Sequence, residues 1–217
     1  MTFSLVGRCG RTGMIGAVVS SASPAVAARC IWARASVGAV CSQSLTDPAL
    51  RDRLLERIAA GASAPEAVLD LTRGAESITY RQLAAVDAAG RGATYSGTHT
   101  LGRYADAVGA DCAAAGNLLA DRAVIDEMVS CFVQMEAAAL GDRLVAALRA
   151  GLAAGGEEGP VHSAGLLIVD RVPWPVTDLR VDWTEGDPTA ETERLWERWK
   201  PLADDYQERA LRPSRAR

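Results

Sequence analysis

The residue best placed to do chemistry is the second one. Methionine aminopeptidases remove an initiator methionine efficiently when the next side chain is small, and in Met1-Thr2 the threonine qualifies, so a processed chain is expected to begin at Thr2. A leading threonine carries a hydroxyl and a free α-amine on adjacent atoms. That amine has a reference pKa of about 7.7–8.0, so part of it is neutral near pH 7 and one residue can supply both nucleophile and base. The competing chemistries lack partners. Only two histidines occur, His99 and His162, and neither a G-x-S-x-G elbow nor a P-loop is present. The glycines of Gly7-x-x-Gly10-x-x-Gly13 do not have dinucleotide-fingerprint spacing, and a strand rather than a helix follows them. His99, inside Ser96-Gly97-Thr98-His99-Thr100, reads as an exposed loop residue, and the pair Glu157-Glu158 in a glycine-rich loop reads as solvated charge.

Five cysteines (Cys9, Cys30, Cys41, Cys112, Cys131) form no C-x-x-C pair and no His/Cys cluster at metal spacing, so free buried thiols and no metal are expected. A thiol enzyme built on Cys41 or Cys9 would have no histidine close in sequence. With 23 basic and 27 acidic side chains the net charge is −4, which argues against nucleic acid as a partner. No run of about 18 apolar residues occurs and the N-terminus lacks a secretion-signal layout, so the expectation is a cytoplasmic protein with no membrane contact. At 217 residues the chain suits one domain over 1–217, with a C-terminal amphipathic helix over about 188–211 and a short basic tail. Only 5 Trp, 4 Tyr and 2 Phe are available, so Ala, Val, Leu and Ile must fill the core.

The elements that would position Thr2 come first in the chain. Residues 2–8 and 14–20 read as strands of a hairpin around the turn Cys9-Gly10-Arg11-Thr12-Gly13. Strand alternation puts Thr2 and Ser4 on one face and Phe3 and Leu5 on the other. A strand over 36–42 follows. Asp47-Pro48 then opens a helix carrying Leu50, Leu54 and Ile58, and Ser63-Ala64-Pro65-Glu66 has the spacing of a capping box for a second helix. Strands are expected at 78–87, at 92–97 and just before Gly116-Asn117. Helices are expected from Asp121 to Glu136 and from 140 to 150, the latter stopped by Gly151. Ala164–Val169 and Leu179–Val181 read as strands, and Asp187-Pro188 starts the last helix, with Leu195, Trp199, Leu202 and Tyr206 on one side. Strands in blocks separated by pairs of helices suit an α+β fold: two stacked, mainly antiparallel sheets with helices on both outer faces, a four-layer αββα sandwich.

The chain also resembles a bacterial family designated domain of unknown function 1028, which is placed in the N-terminal nucleophile (Ntn) hydrolase superfamily. The resemblance rests on Thr2-Phe3-Ser4-Leu5-Val6, Gly16-Ala17-Val18 with Ser20, Trp32-Ala33-Arg34-Ala35 through Val37-Gly38-Ala39-Val40 to Gln43, and Thr46-Asp47-Pro48-Ala49-Leu50. It continues through Val86-Asp87, Gly90-Arg91, Gly116-Asn117-Leu118-Leu119, Gly155-Gly156, Ser163-Ala164 and Leu179-Arg180-Val181-Asp182. It implies the same αββα sandwich and a hydrolase centred on Thr2, whose Oγ would attack an amide carbonyl while its own amine takes the proton. On this reading Ser4 and Ser20 orient the amine. Asn117, the chain's single asparagine, donates to the oxyanion, with Gly116 allowing close backbone approach. Gln43 and Ser163 would contact substrate. Asn117 could equally cap a turn, and Gln43 could satisfy a sheet edge. The chain departs from the family pattern over 157–162, where Glu157-Glu158-Gly159-Pro160 and His162 replace a run containing arginine, so no grip on an anionic substrate is expected there.

The functional expectation is an amidohydrolase that cleaves a small amide or short peptide through an acyl-enzyme, with no cofactor. The alternative is a non-catalytic member of the same fold that binds a small molecule or assembles with a partner. The Trp196/Trp199 helix leaves room for a homo-oligomer if its second tryptophan face is exposed, although burial against the sheet explains it equally well.

Overall fold

The computed structural model describes residues 1–215, so Ala216 and Arg217 of the expected basic tail lie outside the described residues. Among the described residues the fold is mixed α+β, with two antiparallel sheets and seven α-helices. The larger sheet has the order β10-β9-β2-β1-β8-β7, built from β1 (Thr2–Arg8), β2 (Ile15–Ser21), β7 (Ala105–Gly109), β8 (Cys112–Asn117), β9 (Ser163–Val169) and β10 (Thr177–Val181). The smaller has the order β3-β4-β5-β6, built from β3 (Ile31–Arg34), β4 (Gly38–Ser44), β5 (Arg81–Asp87) and β6 (Gly92–Ser96). The helices are α1 (Val26–Cys30), α2 (Ala49–Ala59), α3 (Ala64–Gly74), α4 (Ala123–Gln134), α5 (Leu140–Ala153), α6 (Pro188–Trp199) and α7 (Ala203–Leu211).

Side-chain alternation sorts the strands into three apolar clusters. Phe3, Leu5, Val18 and Leu166 of the larger sheet pack with Ile125, Met128 and Phe132 of α4, Leu144 and Leu148 of α5 and Trp196 of α6. The residues between them, Val6, Ala17, Val19, Ala113 and Ala115, meet Ala39, Cys41, Ala84 and Val86 of the smaller sheet. The other face of the smaller sheet carries Val40, Leu83 and Ala85 against Leu50, Leu54, Ala67 and Leu71 of α2 and α3. The cluster shared by the two sheets mixes alanine with Val, Ile, Leu and Cys side chains.

Helix starts follow their local signals. Ser63 Oγ accepts from Glu66 N while Glu66 Oε2 accepts from Ser63 N, the reciprocal capping box expected for α3. Asp187 Oδ1 accepts from Thr189 N and Ala190 N to cap α6. Two helix ends differ from expectation. Gly151 does not stop α5, which runs on to Ala153; a Cβ at that position would come within 2.7 Å of Met128 Cγ, so the glycine serves a close helix–helix approach. The single C-terminal helix over 188–211 is instead two, α6 and α7, broken at Lys200–Leu202. Pro201 lacks an N–H, and its ring excludes a helical carbonyl one turn back. The tryptophans of α6 are spent internally. Trp196 is buried with Nε1 donating to Asp142 Oδ1 (2.7 Å), and Trp199 Nε1 donates to Thr177 Oγ1 (3.0 Å) and Val176 O (3.2 Å). No helix among the described residues is long and apolar enough to cross a membrane.

Candidate active site

The layer between the sheets is apolar over most of its length and polar at one end. In β1, Val6 lies in the shared apolar cluster, so Ser4 and Thr2, two and four residues back, face the same interior. Across the ladder Thr2 pairs with Asn117 of β8, which puts the asparagine on the same face. From the smaller sheet, Gln43 continues the Ala39–Cys41 face and Gln82 continues the Val86–Ala84 face. Thr2 is only 6% exposed, and Ser4, Gln43, Gln82 and Asn117 are fully buried.

These side chains form one network. Ser4 Oγ donates to Gln43 Oε1 (2.8 Å), and Gln43 Nε2 donates to Gln82 Oε1 (2.8 Å). Asn117 Nδ2 donates to the same Gln82 oxygen (3.1 Å). Gln82 Nε2 in turn donates to Ser96 Oγ (2.9 Å), Gly116 O (3.0 Å) and Ala105 O (3.3 Å). Carbonyl oxygens can only accept, so they fix which end of the Gln82 amide is nitrogen and thereby orient Gln43 and Asn117. Asn117 Oδ1 is buried without a partner, and one of the two Asn117 amide hydrogens is committed to Gln82. The two strand ends that bear these amides are each followed by a non-glycine residue in the left-handed region, Ser44 (φ 71°) after Gln43 and Leu118 (φ 51°) after Asn117. Such backbone costs about 1–3 kcal/mol per residue and concentrates where neighbouring structure over-determines it.

Ser20, expected beside the Thr2 amine, faces the other way. It pairs with Phe3, on the α4/α5 side of the sheet, and its hydroxyl donates to Ser163 O (3.1 Å). Ser21 takes the expected place, its Oγ 3.4 Å from Thr2 Oγ1. The hairpin explains the slip: β2 starts at Ile15, one residue later than the turn residues suggest, and a shift of one residue inverts every side chain. Ser21 Oγ accepts from Ser23 N (3.0 Å), which leaves its own hydrogen for Met1 O, 2.5 Å away. Thr2 Oγ1 donates to the same Met1 carbonyl.

The other expected contacts divide differently. Gly116 faces α4, where a Cβ would come within 2.7 Å of Leu119 Cδ2, so it serves packing. The Ser163 hydroxyl is consumed by the turn ahead of α1, donating to Ser23 O (2.6 Å) and accepting from Val26 N (3.3 Å). Ser4 and Gln43 are brought to the site but spend their groups joining the two sheets. Cys41 touches this network, with Sγ 3.1 Å from Gln43 Oε1. Burial pushes its thiol far above the ordinary range, which removes the thiolate a cysteine nucleophile needs.

Glu157 is the residue the sequence reading missed. It was expected to be solvated together with Glu158; Glu158 is exposed, but Glu157 is 4% exposed. Gly155 (φ 119°) and Gly156 (φ 58°) turn the chain sharply after α5, and an antiparallel bridge to Leu119 then holds Glu157 inward. Its Oε2 accepts from Ala22 N (3.1 Å), next to Ser21, while its Oε1 is buried without a partner. Burial raises its pKa to about 8, opposed by the N-terminal ammonium and the Ala22 N–H. The Gly155-Gly156 pair was the available signal, since paired glycines allow a sharp turn that redirects the side chain after them.

Among the described residues no group of three or more His, Cys, Asp or Glu side chains could hold a metal ion. A cleft of about 500 Å³ lies at the opposite end of the sheets, lined by Trp32, Arg34, Val169, Arg171 and Trp174.

No curated protein matches the chain. Among solved structures it is similar to protein SPO2555 from Silicibacter pomeroyi, whose crystal structure is assigned to DUF1028. The TM-score is 0.84 at 29% identity, covering 91% of this chain and 85% of that one. Residues 2–192 match the family described as Family of unknown function (DUF1028), and the chain belongs to that family.

Proposed function

We propose that the chain, processed to begin at Thr2, is an Ntn-type amidohydrolase with αββα layering that cleaves a small amide or short peptide. Thr2 Oγ attacks the amide carbonyl and the Thr2 amine accepts the hydroxyl proton. The tetrahedral oxyanion is met by Ser21 Oγ–H and by the Asn117 amide hydrogen not bonded to Gln82. The C–N bond breaks as the amine returns the proton to the leaving nitrogen. Water, deprotonated by the same amine, then cleaves the ester and restores the hydroxyl. The observation that carries this reading is the pair of buried hydroxyls, Thr2 and Ser21, converging on one carbonyl oxygen, that of Met1.

Intact mass first establishes loss of Met1, and an amide-substrate screen then compares wild type with two variants. Thr2→Ala is expected to abolish turnover, a loss of about 10⁴-fold or more in kcat for a nucleophile. Ser21→Ala is expected to cost about 10²–10³-fold, as for one oxyanion donor. Turnover indifferent to Thr2→Ala, or an active preparation that retains Met1, ends the proposal. The tryptophan-lined cleft at the far end supports a second reading, a small-molecule-binding protein without catalysis; retained Met1 together with ligand binding there would favour it.

A further inference from the structure

Met1 is held like a ligand. Its carbonyl oxygen receives the Thr2 and Ser21 hydroxyls. Its side chain runs beside Gly159, where a Cβ built on the glycine would stand 4.0 Å from Met1 Cε. Its α-ammonium forms no ion pair with Glu157, although its charge still favours the ionised carboxylate, and Glu157 Oε1 is buried with no protein partner. An α-aminoacyl group therefore already fills the space beside Thr2 Oγ1, its carbonyl bonded by two hydroxyls and its side chain directed past Gly159. Transfer of an acyl group from the Thr2 nitrogen to the adjacent Thr2 oxygen would displace that group little, because the two atoms are separated by only two carbons.

We infer that the space vacated by Met1 is the acyl subsite, and that its substrates are aminoacyl amides or short peptides with an unblocked α-amine, the ammonium being received by Glu157. This rests on Thr2 acting as the nucleophile and adds the substrate class. The acyl carbon bonds to Thr2 Oγ as the substrate C–N bond breaks, and the hydroxyl proton leaves on the released amine by way of the Thr2 amine. Water then releases the free amino acid. A buried carboxyl group whose second oxygen has no partner can accept from an ammonium and offers an anionic acyl group no positive charge, in keeping with the absence of arginine from residues 157–162.

The test uses processed protein and two probe pairs. For turnover, L-methionine p-nitroanilide is compared with its N-acetyl counterpart. For binding, measured calorimetrically on Thr2→Ala, L-methioninamide is compared with N-acetyl-L-methioninamide. The free amine is expected to be preferred in both assays, and Glu157→Gln is expected to reduce that preference by about thirtyfold or more, the effect of removing one partner of a buried charge pair. The circular dichroism spectrum and melting temperature of Glu157→Gln at pH 5 show that the variant is folded, and the wild-type preference is readable without any variant. Equal or better handling of the N-acetyl probes with Thr2-dependent turnover overturns this inference and leaves the amidohydrolase standing. Glu157-dependent binding of the free amine without turnover overturns the amidohydrolase and leaves the subsite. Absence of both binding and turnover of the free-amine probes overturns the subsite.

Discussion

Two buried carboxylates, Asp87 and Glu157, sit at opposite ends of the molecule in opposite electrical conditions. Asp87 is 2% exposed and fully satisfied. Oδ1 accepts from Ala89 N (2.9 Å) and Arg91 N (3.1 Å), and Oδ2 accepts from Ala64 N (3.0 Å) and Arg91 Nε (2.8 Å). Burial works against its charge, but these bonds and the guanidinium outweigh it and hold the carboxyl below the usual carboxylate range. Glu157 has one backbone donor and an empty oxygen, and its pKa goes up. Two carboxylates of similar burial are thus fully bonded in one place and half bonded in the other; what separates them is the number of donors, which sequence does not display.

The contrast can be broken at its strong end first. Asp87→Ala leaves the N–H groups of α3 and of the 87–91 turn without an acceptor and is expected to destabilise by about 3–5 kcal/mol, measurable by urea denaturation. Because the folded pKa of Asp87 is depressed, its contribution is complete above the unfolded value and disappears as pH falls through the folded one.

Glu157 has the opposite sign. Its folded pKa lies above its unfolded value, so stability falls as pH rises from about 4.3 toward 8. In Glu157→Gln that fall is expected to vanish, leaving the variant more stable than wild type at pH 9. A thermal-denaturation series from pH 5 to 9, with identical slopes for the two proteins, would remove the contrast. The smallest effect belongs to a carboxylate that is neither buried nor orphaned: Asp70, paired with Arg57 at 2.9 Å on the surface, should lose no more than about 0.5 kcal/mol on Asp70→Ala.

Much of this framework could be read from residue pattern. The N-terminal hairpin, the Ser63 capping box, the Asp187 cap and the block order of strands and helices all depend on local chemistry that the sequence states directly. Alanine-rich segments were the blind spot. β7 (Ala105–Gly109) and the α1–β3 segment from Val26 to Arg34 carry too little apolar contrast for a period to show, and both went unassigned. The break at Pro201 was hidden by an apolar stripe that continues across it. At the site, Thr2, Asn117, Ser4 and Gln43 were identified and do converge, whereas Ser20 was expected where Ser21 stands because one uncounted turn residue inverts a strand. Glu157 was overlooked because burial of a loop acid depends on backbone angles at two glycines.

Gln82 has a consequence that reaches beyond its own position. Its amide receives two amide nitrogens on one side and supplies hydrogens to carbonyls of the neighbouring sheet on the other. A glutamate there could still accept but would confront Gly116 O and Ala105 O with another acceptor, and a leucine would orphan both amides. Handedness of donation across the layer is therefore set by one side chain, and the aim of Asn117 beside Thr2 is inherited from a strand in the other sheet.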